Sequence, residues 1–466
     1  MIDIDVLFPL RSPAMSAALD AAPRHLLAAN AQLNYRYPLA VEDRRYVQTS
    51  HARGEGFARR FHSKLGLDTL TGQMQALSPH GVHMLLFGHV GCGKSTELSH
   101  LAAMLHHPER YWVVHVDLLA LIDPNDARYS DVWLAVAAEL LRRLAEDGLA
   151  LPDPLVRRFH GWFAEHVLTH ERIRAQSGDL ALESQVGGGV PLLGKLLGRF
   201  TAMIRAGSSC RDSLREVVRN TYAEFSGSLN DLIAAAADAL RAQGHARQVL
   251  FVIDGPDRFR PEDWRRFFVD DVNQLTQLAA VVVYAAPLAL KVSGHRLDLF
   301  EHVTLPMVKL LESDGTTRRI EAFDALRELI LKRCHHSLFA ELSDLDRLIE
   351  HSGGHLRDLL RLLSYACVDA EHGIIDCRAV DSAIALLGAD YRYCLSKAHY
   401  LALVSIDQGR TNDGTTPLLT ELVGLGALLE YNAGSWRQTH PVVRTLAGYE
   451  AATRASRINP LVAEAL

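Results

Sequence analysis

Short runs of consecutive apolar residues alternate with longer stretches in which apolar positions recur every three or four residues. Five runs have strand length: Val82–Phe87, Tyr111–Leu118, Val249–Asp254, Ala280–Tyr284 and His302–Leu305. Unbroken apolar character rich in β-branched residues marks strands covered on both faces. Such strands separated by helical stretches predict an α/β parallel sheet wrapped by helices. Right-handed crossovers make it doubly wound, with ligands bound at the carboxyl ends of the strands. Between the second and third strands lie about 130 residues, where a crossover needs about a dozen. This insertion has a helical stripe over Asp131–Glu146 (Val132, Val136, Leu140, Leu144), a hinge signal at Val186-Gly187-Gly188-Gly189-Val190-Pro191 and a helix predicted from about Asp212 to Gln243. Residues 319–390 read as helical. Near the C-terminus, Ala427–Asn432 and Ser435–His440 flank Ala433-Gly434, a hairpin signal.

The strongest chemical signal follows the first strand: Gly88-His89-Val90-Gly91-Cys92-Gly93-Lys94-Ser95-Thr96, then a helical pattern from Glu97 to Leu105. This is G-x-x-x-x-G-K-[ST] between strand and helix, a phosphate-binding loop. Glycines let backbone amides curl round the β-phosphate, and the helix N-terminus adds partial positive charge. Gly88, Gly91, Cys92, Gly93, Lys94, Ser95 and Thr96 are therefore the expected ATP-binding residues, with Lys94 on the β- and γ-phosphates and Ser95 on Mg²⁺. The third strand ends in Asp254, the Walker B position, expected to share the Mg²⁺ with Ser95. Many hydrolysing ATPases place Glu next. Here Gly255 stands there and the carboxylate comes three residues on, so Asp257 is the candidate for positioning the attacking water.

The run Val252-Ile253-Asp254-Gly255-Pro256-Asp257-Arg258 resembles the hhhhDxxD pattern of STAND ATPases. The run Ser352-Gly353-Gly354-His355-Leu356-Arg357-Asp358-Leu359-Leu360 resembles the sensor 2 element of AAA+ and origin-recognition ATPases, in which a helical lid presents an arginine to the γ-phosphate. The resemblance gives that role to Arg357. It implies a P-loop NTPase of the ASCE type, divided as an N-terminal helical segment (1–75), an ATPase core (76–310) with a helical insertion at about 125–247, a helical lid (311–392) and a winged-helix-like unit (393–466). The layout is similar to bacterial AAA+/STAND-like ATPases of anti-phage defence and mobile-element operons. The fourth strand departs from the pattern: it runs into Tyr284-Ala285-Ala286-Pro287 where a polar sensor 1 residue belongs, which argues for slow hydrolysis.

Composition trims the alternatives. The 466 residues include 49 Lys+Arg against 55 Asp+Glu, a net charge of −6, which excludes a strongly basic nucleic-acid coat protein. Cations do cluster locally at Lys195, Arg199, Arg205, Arg211, Arg215 and Arg219. A solvated face is the plainer reading of that cluster, and an acidic or nucleic-acid partner the sharper one. The six cysteines form no C-x-x-C pair, and no apolar run is long enough to cross roughly 30 Å of hydrocarbon, so a reduced, cytoplasmic protein off the membrane is expected. The pairs His106-His107 and His335-His336 lack metal-ligand spacing. The segment ahead of the loop, with Arg44-Arg45-Tyr46-Val47 and His51-Ala52-Arg53-Gly54-Glu55, is positioned to pack on an adenine. Arg258 is a candidate inter-subunit arginine finger, with an internal salt bridge the plainer reading.

Three functions fit. The first is an ATP- and Mg²⁺-dependent switch, slowly hydrolysing, that homo-oligomerises or recruits a separate effector protein. The second is a DNA-associated AAA+ ATPase of the initiator or transposition-regulator kind. Against it, the helix Thr416–Val423 ahead of the hairpin carries no Lys or Arg for phosphate neutralisation. The third is a nucleotide-binding scaffold without turnover.

Overall fold

The computed structural model describes residues 7–8, 12–54, 56–68, 71–74, 81–149, 151–166, 208–244, 248–409 and 416–458. Five parallel strands form one sheet in the order β2-β3-β4-β1-β5, where β1 is Val82–Gly88, β2 Tyr111–Asp117, β3 Gln248–Asp254, β4 Val281–Pro287 and β5 Glu301–Thr304. Four of the five match the apolar runs to within a residue, and β4 runs three residues beyond its expected end, to Pro287. Each strand points alternate side chains to opposite faces. From β1, Leu85 and Phe87 enter the larger core beneath the helices Tyr129–Glu146 and Tyr222–Ala242, whereas Met84 and Leu86 face the helix Lys94–Leu105 and the N-terminal helix Phe57–Lys64. Both faces are covered, so the strands read as unbroken rather than alternating apolar runs.

The helix expected from about Asp212 to Gln243 is two helices, Ser208–Asn220 and Tyr222–Ala242. They break at Thr221, whose hydroxyl donates back to the Val217 carbonyl at 2.9 Å. Such back-bonding competes with the helical ladder. The hinge signal at 186–191 and the cations Lys195, Arg199 and Arg205 lie outside the described residues.

After β5 come four helices, Ile320–Leu331, Leu342–Ser352, Leu356–Asp369 and Cys377–Cys394. The second and third are joined through Gly353 and Gly354, at φ 60° and 80°. A Cβ on Gly354 would sit 2.0 Å from the Val308 carbonyl oxygen, so only glycine lets the turn approach the strap leading out of β5.

The C-terminal hairpin pairs β6 (Leu428–Tyr431) with β7 (Trp436–Thr439), antiparallel. It does not project as a free wing. All of β6 is buried, and the preceding helix Pro417–Gly424 packs on the helix Leu288–Val292 that follows β4. Tyr431 donates to the Gly353 carbonyl at 2.6 Å, and the Glu430 amide donates to His89 Nε2 at 2.9 Å. The hairpin thus leans on both the lid turn and the phosphate loop. Among the described residues no helix is long and apolar enough to cross a membrane.

Candidate functional site

The loop between β1 and the helix Lys94–Leu105 sits at the carboxyl edge of the sheet. Gly91 and Gly93 take φ of 95° and 97°, a conformation that costs glycine little and other residues much. The loop is held from three sides. Arg53, fully buried, donates through Nη2 to the Cys92 carbonyl at 2.8 Å, through Nη1 to the Pro306 carbonyl at 2.6 Å and through Nε to Thr49 at 2.8 Å. From the lid, the Arg357 amide donates to the Gly91 carbonyl at 3.1 Å and His355 Nε2 lies 2.8 Å from the Val90 carbonyl. The hairpin supplies the bond to His89.

Lys94 is almost wholly buried. Its ammonium donates to the carbonyls of Gly88 and His89 at 2.9 and 2.8 Å and pairs with Asp257 at 2.9 Å. Three donors meet three acceptors, so Lys94 must surrender one of them to grip a phosphate. Asp257 thus finds its partner across the loop. Its second oxygen, Oδ1, is buried without a hydrogen-bond partner. Ser95 donates to Asp254 at 3.1 Å. Burial, and then the nearby Asp257, push the Asp254 carboxyl up to about 6. A divalent cation would relieve this crowding. Ser95 and Asp254 are the side chains that would hold Mg²⁺, and the orphaned Asp257 oxygen is free to engage a water.

One cavity gathers most of these groups; Asp254 does not line it and touches it only through Ser95. Gly91, Gly93, Lys94, Ser95 and Thr96 line its floor, with Asp257 and Arg258 beside them and Leu356, Arg357 and Leu360 of the lid above. Tyr35, Tyr37, Pro38, Leu39, Arg45, Tyr46 and Val47 add a further wall. Tyr46 is stacked on His100 with ring centroids 3.5 Å apart, and the Leu39 amide donates to Thr96 Oγ1 at 3.2 Å. Apolar and aromatic side chains together with cations in one cavity suit a base joined to phosphates. Burial, and then Arg258, press the Arg357 guanidinium below its ordinary value. The nearby Arg333 is also buried and is lowered to about 10. Cations so placed favour an anionic occupant.

Several expectations need correction. Gly88 and Cys92 do not line the cavity. The Cys92 side chain is buried in the core with Met84, Leu86 and Leu98, and its amide already donates to the His89 carbonyl at 3.2 Å, so neither group is free for phosphate. Arg258 is exposed, lines its own chain's cavity and makes no ion pair among the described residues. Arg215 faces inward, pairing with Asp131 at 2.6 Å and Asp126 at 2.7 Å, and this removes it from any partner-facing stripe. The two histidine pairs serve turns: His106 Nδ1 accepts the Val113 amide at 3.1 Å and His335 Nδ1 the Ser337 amide at 3.2 Å. No residue of β4 lines the cavity. Sequence reasoning missed Arg53 and Arg333 as site residues. Arg53 stands in the quoted segment before the loop, but nothing local announces that it spans to residues 92 and 306.

No family model matches the chain, and no curated protein matches it. Among solved structures it is similar to the ORC2 protein of Aeropyrum pernix (ADPNP–ADP complexes), at 14% identity and a TM-score of 0.34, covering 92% of this chain and 98% of that one. It is likewise similar to Cdc6p of Pyrobaculum aerophilum, at 12% identity and a TM-score of 0.33, with the same coverage. The α/β P-loop fold itself rests on the strand order, with β4 between the loop strand and the Asp254 strand, and on the loop geometry.

Proposed function

We propose that this chain is an ATP- and Mg²⁺-binding molecular switch that hydrolyses slowly and passes its nucleotide state to a second copy or an effector protein. The observation that carries the reading is the convergence of Lys94, Asp257 and Arg357 on one cavity, roofed by a lid that bonds directly to the phosphate loop. When bound, Mg²⁺ would supply charge neutralisation between the phosphates. The rest falls to the chain. Lys94 exchanges Asp257 for phosphate oxygens. Asp257, released, accepts a proton from an ordered water. Arg357 meets the terminal phosphate, and Ser95 and Asp254 would hold the metal. Without a polar group from β4 to fix that water, turnover is slow, so binding rather than hydrolysis sets the signal. Lys94→Ala should abolish ATP binding in a direct titration, and unchanged affinity would remove the site. The solution mass of the wild-type protein should rise when ATP and Mg²⁺ are added. A mass that stays constant moves the output to a separate effector.

A DNA-associated ATPase is the second reading. Arg454 and Arg457 lie exposed on the last helix, Ala447–Ile458, and favour it. The inward docking of the hairpin and of the helix Pro417–Gly424 counts against it. Duplex DNA affinity tighter than about micromolar, falling steeply with salt, would favour this reading over the first.

A further inference from the structure

The first turn of the lid helix Leu356–Asp369 carries Arg357, and it is held by a buried polar knot the switch chemistry does not use. Asp358, one residue on, accepts the Tyr391 hydroxyl at 2.7 Å and the Arg361 guanidinium at 3.1 Å. Its carboxylate also lies 3.2 Å from His355 Nδ1 and 3.4 Å from Nε2 of the fully buried His440. His440 follows β7, and Tyr391 comes from the helix Cys377–Cys394 and also reaches the Gly426 carbonyl at 3.4 Å. His355 closes the circuit on the other side, through Val90 of the phosphate loop.

His355, Asp358 and His440 lie close enough together to suggest a metal site. The ring nitrogens argue otherwise. His355 Nδ1 accepts the Asp358 amide at 3.3 Å, and His440 Nδ1 accepts the Val442 amide at 3.2 Å. Both rings therefore carry their proton on Nε2. His440 Nε2 then carries an N–H rather than a lone pair and lies 3.4 Å from the Asp358 carboxylate without completing a hydrogen bond, and Arg361 already places a cation on the same carboxylate. The knot is a hydrogen-bonded anchor.

We propose that Asp358, held by the Tyr391 hydroxyl and packed beside His440, is the positioning residue for Arg357, and that the C-terminal hairpin unit, reached through His440 and the Gly426 carbonyl, thereby sets how well the site tells a triphosphate from a diphosphate. Arg357 is bonded through its amide to Gly91, so its guanidinium can reach a terminal phosphate only from a fixed helical turn. A turn released from Tyr391 and His440 keeps the arginine but loses its aim. The inference rests on the switch reading, in which Arg357 meets the γ-phosphate.

The test measures the dissociation constants of MgATP and MgADP for the full chain and three variants, Arg357→Met, Tyr391→Phe and His440→Gln, with melting curves to confirm folding. Arg357→Met should collapse the ATP preference. Tyr391→Phe, which removes one hydroxyl, should move the ATP/ADP ratio about fivefold toward that collapsed value while ADP affinity holds, and His440→Gln should move it the same way. A merely structural loss would weaken both nucleotides equally. If Arg357→Met collapses the ratio while Tyr391→Phe and His440→Gln keep the wild-type ratio, the positioning role is overturned and the switch stands. If Arg357→Met itself leaves the ratio unchanged, the switch reading fails and takes this inference with it.

Discussion

Asp257 shows how one carboxylate can hold the lysine of a phosphate loop in check. It neutralises Lys94, which would otherwise be a buried cation without a counter-ion, a loss on the order of 3–5 kcal/mol. Asp257→Asn keeps an acceptor but removes the charge. ATP affinity should hold or tighten, because phosphate no longer competes with a carboxylate for the lysine. Turnover should fall by about 100-fold, and the nucleotide-free protein should melt earlier. Equal turnover would place the proton acceptor elsewhere. His89 makes the second prediction at this scale. Burial, with smaller contributions from His355 and Lys94, lowers it to about 3, against 6.5 in an unfolded chain. Its Nε2 must stay unprotonated to accept the Glu430 amide. Between these values the unfolded chain binds the proton and the native state does not, so stability rises with pH across that window. Stability is complete above 6.5 and should fall by up to about 1.4 kcal/mol per pH unit below it. Melting curves of wild type and His89→Gln should show the shallower slope in the variant.

At the scale of elements, legibility followed locality. The five strands, the phosphate loop and the Gly353-Gly354 break were readable because each is written in a few consecutive residues: an apolar run, a glycine-lysine signature, two left-handed positions. The place of the hairpin was not. Ala427 to Tyr431 reads as a strand whatever covers it, and the bond from Glu430 to His89 joins residues 341 positions apart. Arg53 was hidden for the same reason, since a lone arginine before a loop looks the same whether it meets water or two carbonyls. The break at Thr221 shows a subtler limit. Its neighbours keep helical spacing on both sides, and nothing in that spacing marks the break. Of the site residues, Lys94, Ser95, Asp254, Asp257 and Arg357 could be named from sequence because their motifs are contiguous. That Asp257 would answer Lys94 could not.

At the scale of the whole molecule, the ends of the chain converge on the middle. Residues 34–49 wall the cavity, the lid roofs it, and the C-terminal hairpin braces both lid and loop. Motion at the phosphate loop therefore has few ways to stay local. One consequence concerns Cys92. Its thiol is sealed in the core under the loop, as are Cys334 and Cys367 elsewhere, while Cys377 and Cys394 are open to solvent. Among the described cysteines, an alkylating reagent would reach these two open thiols first. The delay before Cys92 takes up label would be a stopwatch on how often the loop lifts from the sheet, readable by mass spectrometry without any engineered probe.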